Sequence, residues 1–501
     1  MPASDQFILT KMIATIGPAC ADAGMLGRLI EEGVRAFRIN FSHGSFDDFK
    51  RLLTAVRTAE QHKRTHVTVI GDISGPKVRV GQVIDEGIDV HTGDMVVFQT
   101  ESVVAGQSAV RNITFSTTRP DVFEDIQPGE RVLVNDGAVR MLVHEKTFTE
   151  DNAQLVCSVT VGGLITTAKG MNLPDSRLTL PSLTQYDWQC VEWAINHQVD
   201  VLALSFIRQS SDVRELKVYL TRRTAPQTVI AKIEKPQALD ELEAIIDEAD
   251  GVMVARGDLG VEMDLPQVPI IQKRVIHAAH DYGKPAIVAT QMLQSMIGNA
   301  MPTRAEVSDV ANAIYDGADA VMLSGETAIG QYPIQTVHMM ARTLLATEAH
   351  LRTTRHFRVP RRAVDAPVRF RESRYRTTAL AHGVNSVVRD LGAKLIVVWS
   401  QRGGGARYLS QNHMPVPIVA ASSDPAVLRQ MALMYAVLPI HMPTPPSVYD
   451  FRNAMDQLLL TQGLVTTGDP IVLITGEPIG VPGVTNAMSI HYVGDVCRVP
   501  G

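Results

Sequence analysis

A chain of 501 residues with 45% hydrophobic and 20% charged side chains and a formal net charge of −6 is expected to form a soluble globular protein of roughly two to four domains, and its near-neutral balance excludes a general nucleic-acid binder. No apolar run approaches the ~18–20 residues that cross a bilayer, and the N-terminus lacks a basic stretch followed by an apolar one, so no membrane partner and no secretion signal are expected. Cys20, Cys157, Cys190 and Cys497 lie apart without CxxC pairing, the pattern of free thiols in a reducing cytoplasm.

Taken in chain order, short β-branched runs alternate with amphipathic helical stretches. Strands are expected within 8–17, 34–42, 66–74, 201–208, 228–235, 251–258, 286–292 and 318–325, and helices follow them, as in 45–63, 182–198 and 332–350. Eight near-continuous apolar strands, each followed by a helix, predict a parallel (β/α)8 TIM barrel of about 250 residues. It would occupy residues 1–75 and 175–350. Thr303 and Glu306 in "TRAE" have the spacing of a capping box. Residues 76–174 interrupt the alternation with Val-, Thr- and Gly-rich runs such as "DMVVFQT" and "QLVCSVTVGG", the texture of a small inserted β-barrel domain. A basic irregular segment near 352–376 is expected to be a linker. Strand–helix alternation then resumes, so 351–501 is expected to hold a separate open α/β sheet domain.

Barrel sites lie at the C-terminal ends of the strands, so polar residues there are the informative ones. Arg38, Asn40 and Ser42 recur every second residue and share a strand face. Asp72 ends the third strand, Lys232 and Glu234 stand two apart on the fifth, Asp258 follows the sixth in "ARGDLG", and Thr290 follows the seventh. Singly, each has an ordinary reading as an internal ion pair, a turn residue or a solvated rim. Five strands delivering polar residues to one end is more than packing requires. Glu234 and Asp258 offer hard carboxylate oxygens suited to Mg²⁺ or Mn²⁺, and Lys232, Arg38 and Arg79 add cations suited to a phosphorylated substrate. No GxxxxGK[ST] motif is present. Pattern alone reaches a metal-assisted barrel enzyme acting on phosphorylated or carboxylated small molecules, and stops there.

The blocks "KMIATIGPA", "RINFSHGS", "GDISGPKVR", "VNDG", "AKGMNLP", "SFIR", "IAKIE", "MVARGDLGVE", "ATQMLQSM" and "PTRAEVSDVANAIYDGADAVMLSGETAIGQYP" together resemble the pyruvate kinase family. The resemblance implies Mg²⁺-dependent transfer of a phosphoryl group from phosphoenolpyruvate to ADP, giving pyruvate and ATP. It implies Glu234 and Asp258 as metal ligands, Lys232 on the transferring phosphoryl group, and the amides of Gly257 and Asp258 on the substrate carboxylate. Thr290 would stand beside C3 of the enolate, Arg38, His43, Arg79 and Lys169 at nucleotide or phosphoryl groups, and the inserted domain would close as a lid. A homotetramer is implied as well. Two other readings differ in class: a metal-dependent lyase acting on pyruvate or phosphoenolpyruvate, and a non-catalytic phosphometabolite sensor.

The family commonly also requires K⁺, and Asn40, Ser42 and Asp72 match its ligands. This chain departs from that pattern at three positions. Ile73 replaces the usual threonine and offers only its carbonyl, Ser74 stands where lysine is frequent, and Lys77 occupies the place of a glutamate found in potassium-activated members. An ammonium group there supplies a fixed unit of positive charge, so Lys77 is expected to substitute for K⁺, which would then not be required. The family's effector loop corresponds to "VVWSQRGGGARYL", where Ser400 keeps a hydroxyl but Arg402 and Gly405 replace Ser or Thr. That composition suits a single phosphate, as in a sugar monophosphate or AMP, better than a bisphosphate, and fits equally a plain helix-opening glycine turn with no ligand.

Overall fold

Runs that are apolar on both faces must be covered on both faces, and this requirement shapes the computed structural model, which describes residues 7–84, 86–106, 112–148, 153–353, 375–481 and 483–495. The eight expected strands are β1 (Lys11–Thr15), β2 (Val34–Asn40), β3 (Thr68–Ile73), β4 (Val201–Leu204), β5 (Thr228–Ile233), β6 (Gly251–Ala255), β7 (Ala286–Ala289) and β8 (Ala320–Leu323). They close into a parallel barrel in sequential order, β1 pairing with both β2 and β8. The stretch expected to be helical at 45–63 forms Phe46–Lys63, started by a capping box between Ser45 and Asp48. Thr303 and Glu306 likewise cap Arg304–Tyr315. The expected linker falls largely on 354–374, and both it and Cys497 lie outside the described residues; Cys20, Cys157 and Cys190 are buried free thiols.

Between β3 and β4 the chain builds a six-stranded sheet around its own apolar core, with Phe98, Phe115 and Val143 among the buried residues. Its edge strands are Met171–Asn172 and Asn112–Ser116. Arg79 bridges to Gly170 beside one edge and Val80 to Thr117 beside the other. The segment entering the domain therefore stitches both edges together and closes the sheet on itself. The C-terminal unit holds β9 (Leu395–Trp399), β10 (Ile418–Ser422), β11 (Val437–His441), β12 (Pro470–Thr475) and β13 (Ala487–Tyr492), in the order β11-β10-β9-β12-β13 with only β13 antiparallel.

The C-terminal unit stops the N-terminal mouth of the barrel. Leu433 joins the interior cluster that contains Ile13, Ile70, Ile230, Met253 and Met322. Nearby, the buried carboxylate of Asp200 is 2.7 Å from Arg57 Nη2 and 2.7 Å from Arg429 Nε of the C-terminal unit, and accepts the Val69 amide at 2.8 Å. Asp200→Ala removes the carboxylate between two partly buried guanidinium groups, of which Arg57 keeps Glu60 at 3.0 Å while Arg429 loses its ion pair. A loss of about 3–5 kcal/mol is expected, read as a lowered denaturant midpoint; a loss under about 1 kcal/mol would mean that water replaces the carboxylate at no cost.

Candidate active site

Alternation along a strand places every second residue inside the barrel. Ile70 and Ile230 accordingly fill the interior, and Asp72 and Lys232, two residues further along, meet above them. Lys232 is buried, and its Nζ lies 2.7 Å from Glu234 Oε1, 3.3 Å from Asp72 Oδ1 and 2.7 Å from Ser205 Oγ. Asp72 Oδ2 lies 2.6 Å from Arg38 Nε, and its Oδ1 accepts the Ser205 hydroxyl at 3.2 Å. Desolvation alone would discharge this cluster, but its members compensate one another. The carboxylates of Asp72 and Glu234 overcome burial and raise the Lys232 pKa. Burial opposes ionisation of Asp72, yet the charges of Lys232 and Arg38 bring it down to about 2. At neutral pH, Lys232 is thus a fixed cation and Asp72 a fixed anion.

Glu234 is treated differently: desolvation, reinforced by the negative charge of Asp258, raises its pKa against the pull of Lys232. Two carboxylates that repel in a desolvated place are relieved by a cation, and their hard oxygens fit a divalent ion of the Mg²⁺ class. Glu234 Oε2 is oriented by the amide of Phe206 at 2.8 Å, and Phe206 takes φ 55° to present it. Thr290 and Gln291 have φ of 70° and 54°, rare for non-glycine residues and rarest for a β-branched one. Arg256 holds that turn by donating to the carbonyls of both, at 2.9 and 3.2 Å, while its Nη1 is 2.6 Å from Asp309. The result brings Thr290 Oγ1 to the Gly257 amide, which donates to it at 2.7 Å.

Outside this cluster lies a cavity of about 390 Å³ between the barrel and the inserted domain, lined by Lys77, Arg79, Lys169, Arg208, Lys235 and Asp258 among others. Arg79 Nη1 donates to the Ala168 carbonyl at 2.8 Å, and Asn172 of the inserted domain donates to Glu262 of the barrel at 2.8 Å. His43 is exposed at the rim; desolvation and the charges of Lys77, Arg79 and Arg38 lower its pKa. Lys235 is ion-paired with Glu262 and Arg208 donates to the Leu178 and Leu180 carbonyls; Lys77, Arg79 and Lys169 around the same opening make it receptive to a polyphosphate.

The polar residues expected to hold a monovalent cation are engaged by side chains and amides of the chain itself. Asn40 Oδ1 accepts the Ser42 amide at 3.1 Å, Ser42 Oγ is 2.8 Å from Ser74 Oγ, and Asp72 is held by Arg38 and Lys232. Ile73 ends β3 and is buried. Lys77 Nζ reaches Ser42 Oγ at 3.5 Å. Desolvation and the Lys232 charge lower the Lys77 pKa, while Glu234, Asp72 and Asp258 act the other way, so Lys77 is in electrostatic contact with the whole cluster although its side chain reaches solvent. In the C-terminal unit, Ser400 is buried with its Oγ accepting the Ala406 amide at 3.1 Å, Arg402 is exposed, and Gly405 packs against Ser400 and Thr485.

Ser205 and Arg256 were not singled out by the sequence pattern. Ser205 stands one residue past β4 in "ALSFIR", where a small hydroxyl among apolar residues carries no signal alone; its two-residue step from Ala203, inside the barrel, is the clue that could have found it. Arg256 was hidden by its place between Ala255 and Gly257, since it acts on the backbone behind Thr290 rather than inside the cluster.

Comparison with known proteins agrees with this geometry. The model of the pyruvate kinase barrel domain matches residues 8–337, and that of the pyruvate kinase alpha/beta domain matches residues 378–491. A pyruvate kinase of Mycobacterium tuberculosis is 37% identical over 97% of this chain and 98% of its own length. One from Corynebacterium efficiens is 35% identical over 98% and 99%, and one from Thermococcus litoralis 36% identical over 97% and 98%. With both family models matched in order and full-length relatives on either side of the inserted sheet, the chain belongs to the pyruvate kinase family of phosphotransferases.

Proposed function

We propose that the chain transfers the phosphoryl group of phosphoenolpyruvate to ADP, giving pyruvate and ATP, with Mg²⁺ or Mn²⁺ and without a need for K⁺. Support comes first from the buried Lys232, held as a cation by Asp72 and Glu234 beside a cation-lined cavity. In a loose phosphoryl transfer, charge spreads over the three equatorial oxygens, and a cation already fixed where that charge develops acts on the barrier. The divalent ion that the family uses would be held by Glu234 and Asp258, supplying Lewis-acid neutralisation of carboxylate and phosphoryl oxygens.

This chain's own residues carry the rest. Arg38 and Lys232 orient the phosphoryl group, and the amides of Gly257 and Asp258 receive the carboxylate in place of Thr290 Oγ1. His43, Arg79 and Lys169 hold the nucleotide, so that its terminal oxygen lies in line with the bond being broken. Thr290 positions the proton delivered to C3 of the enolate. The inserted sheet excludes water, which would otherwise compete with ADP.

Independence of K⁺ is supported by the engagement of Asp72 with Arg38 and Lys232 and of Ser42 with Asn40 and Ser74, and by Lys77 at 3.5 Å from Ser42. The barrel would occupy 1–75 and 175–350, the lid 76–174 and the regulatory unit 351–501 of a cytoplasmic homotetramer, with Arg402 and the amides around Gly405 receiving one phosphate of an effector. The deciding assay is pyruvate formation from phosphoenolpyruvate and ADP with Mg²⁺ in tetramethylammonium buffer, with and without KCl. Equal activity in both is expected. Activity that appears only with KCl keeps the reaction and discards the role of Lys77, and no activity in either discards the reaction.

A further inference from the structure

A second cluster of ligating side chains lies at the opposite end of the barrel, in contact with the C-terminal unit. His280 lies in the last turn of the helix Val268–Asp281, Asp319 immediately precedes β8, and His413 follows the helix Gly404–Gln411 of the C-terminal unit. The two imidazole Nε2 atoms are 3.1 Å apart; His413 Nε2 is 3.3 Å from Asp319 Oδ1 and His280 Nε2 is 3.5 Å from Asp319 Oδ2. Asp319 is buried, and its Oδ2 also accepts the Ala286 amide at 2.8 Å. His413 takes φ 44° to reach this position, and its ring stacks on Tyr435 at 4.4 Å. Two imidazoles and a carboxylate from three separate elements converge here, one of them through an unfavourable backbone conformation.

Bonds of ~2.0–2.1 Å to a tetrahedral metal ion put neighbouring ligand atoms about 3.3–3.4 Å apart; the two imidazole nitrogens at 3.1 Å are near that value, and each stands 3.3–3.5 Å from a different oxygen of the one Asp319 carboxylate, with one ligand atom from each of the three residues within 4.8 Å of the others. The two ring nitrogens at 3.1 Å share at most one proton between them, and both also face one carboxylate. A single electron-pair acceptor among them satisfies all three groups at once. The donor set selects the ion: neutral imidazoles with one carboxylate suit Zn²⁺ and its first-row neighbours, not Mg²⁺. The side chains of His280 and His413 are partly exposed, which leaves room for water as a fourth ligand. We propose that His280, Asp319 and His413 form a structural Zn²⁺ site that fastens the C-terminal unit to the floor of the barrel.

The test uses the full-length protein, stripped with chelator and kept in saturating Mg²⁺ so that the carboxylates of Glu234 and Asp258 are masked. Titration with Zn²⁺ is expected to leave one equivalent per chain after gel filtration and to raise the thermal midpoint. His413→Gln and His280→Gln, checked for native circular dichroism, should each weaken binding at least tenfold and remove the shift in midpoint. Titration of the unaltered chain with Co²⁺ should give the intense visible bands of a four-coordinate ion, a readout independent of whether the variants fold. Failure to retain zinc, retention unchanged in both variants, or a Co²⁺ spectrum of the weak six-coordinate type overturns the proposal.

Discussion

Lys232→Met is expected to lower kcat by on the order of 10³ while leaving the affinity for Mg²⁺ unweakened. The size follows from deleting one preorganised charge at a transition state whose own charge is developing, an effect of roughly 10²–10³ or more for a single donor in other phosphoryl- and acyl-transfer sites. Methionine fills much of the lysine's volume, and Asp72 keeps its 2.6 Å contact with Arg38, so the barrel end stays intact. Glu234, in contrast, loses the ammonium group at 2.7 Å and becomes more eager for a divalent ion. The two parameters therefore move apart: turnover collapses and metal affinity holds or rises. Kinetics at saturating and limiting Mg²⁺ measure both. A fall in activity that is recovered by excess Mg²⁺ would reduce Lys232 to a residue that only orders the carboxylates.

Lys77→Glu is expected to lose at least tenfold in activity in tetramethylammonium buffer and to regain most of it on addition of KCl. The substitution swaps a positive for a negative charge beside Ser42, within the field of Asp72, Glu234 and Asp258, and so removes the local cation and supplies a ligand for an external one. Lys77→Met separates the two effects: it removes the charge without supplying a carboxylate, and should be slow with or without KCl. The measurement is the KCl titration of initial rate for both variants beside the unaltered chain. A Lys77→Glu variant as active without KCl as with it would show that Lys77 is a solvated residue of the hinge.

The barrel was legible because its signal is the strongest a sequence gives: every strand is a short β-branched run bounded by a helix, and all eight formed where the pattern put them. Lys232, Glu234, Asp72 and Arg38 were legible for a related reason, since a charged residue two steps from buried apolar neighbours has to face inward. What could not be read is contact between residues remote in the chain. Ser205 matters only because Lys232 and Asp72 close over it, and Arg256 only because two residues beyond β7 adopt positive φ. His280, Asp319 and His413 have no spacing that hints at their meeting, because the fold of one unit and its docking on another bring them together.

The stopper that Leu433 forms in the barrel floor also decides how divisible the molecule is. The family models part the chain into a barrel and an alpha/beta unit, as if either could be produced alone. A barrel cut after the helix Pro333–Thr353 would open Ile13, Ile70 and Met253 towards water at that end and strand Asp200 with half of its counter-charge. An uncovered apolar floor of that kind is a surface that associates with its own copies. The two units are modules of descent but not of manufacture, and a piece that holds the site needs the C-terminal unit as its floor.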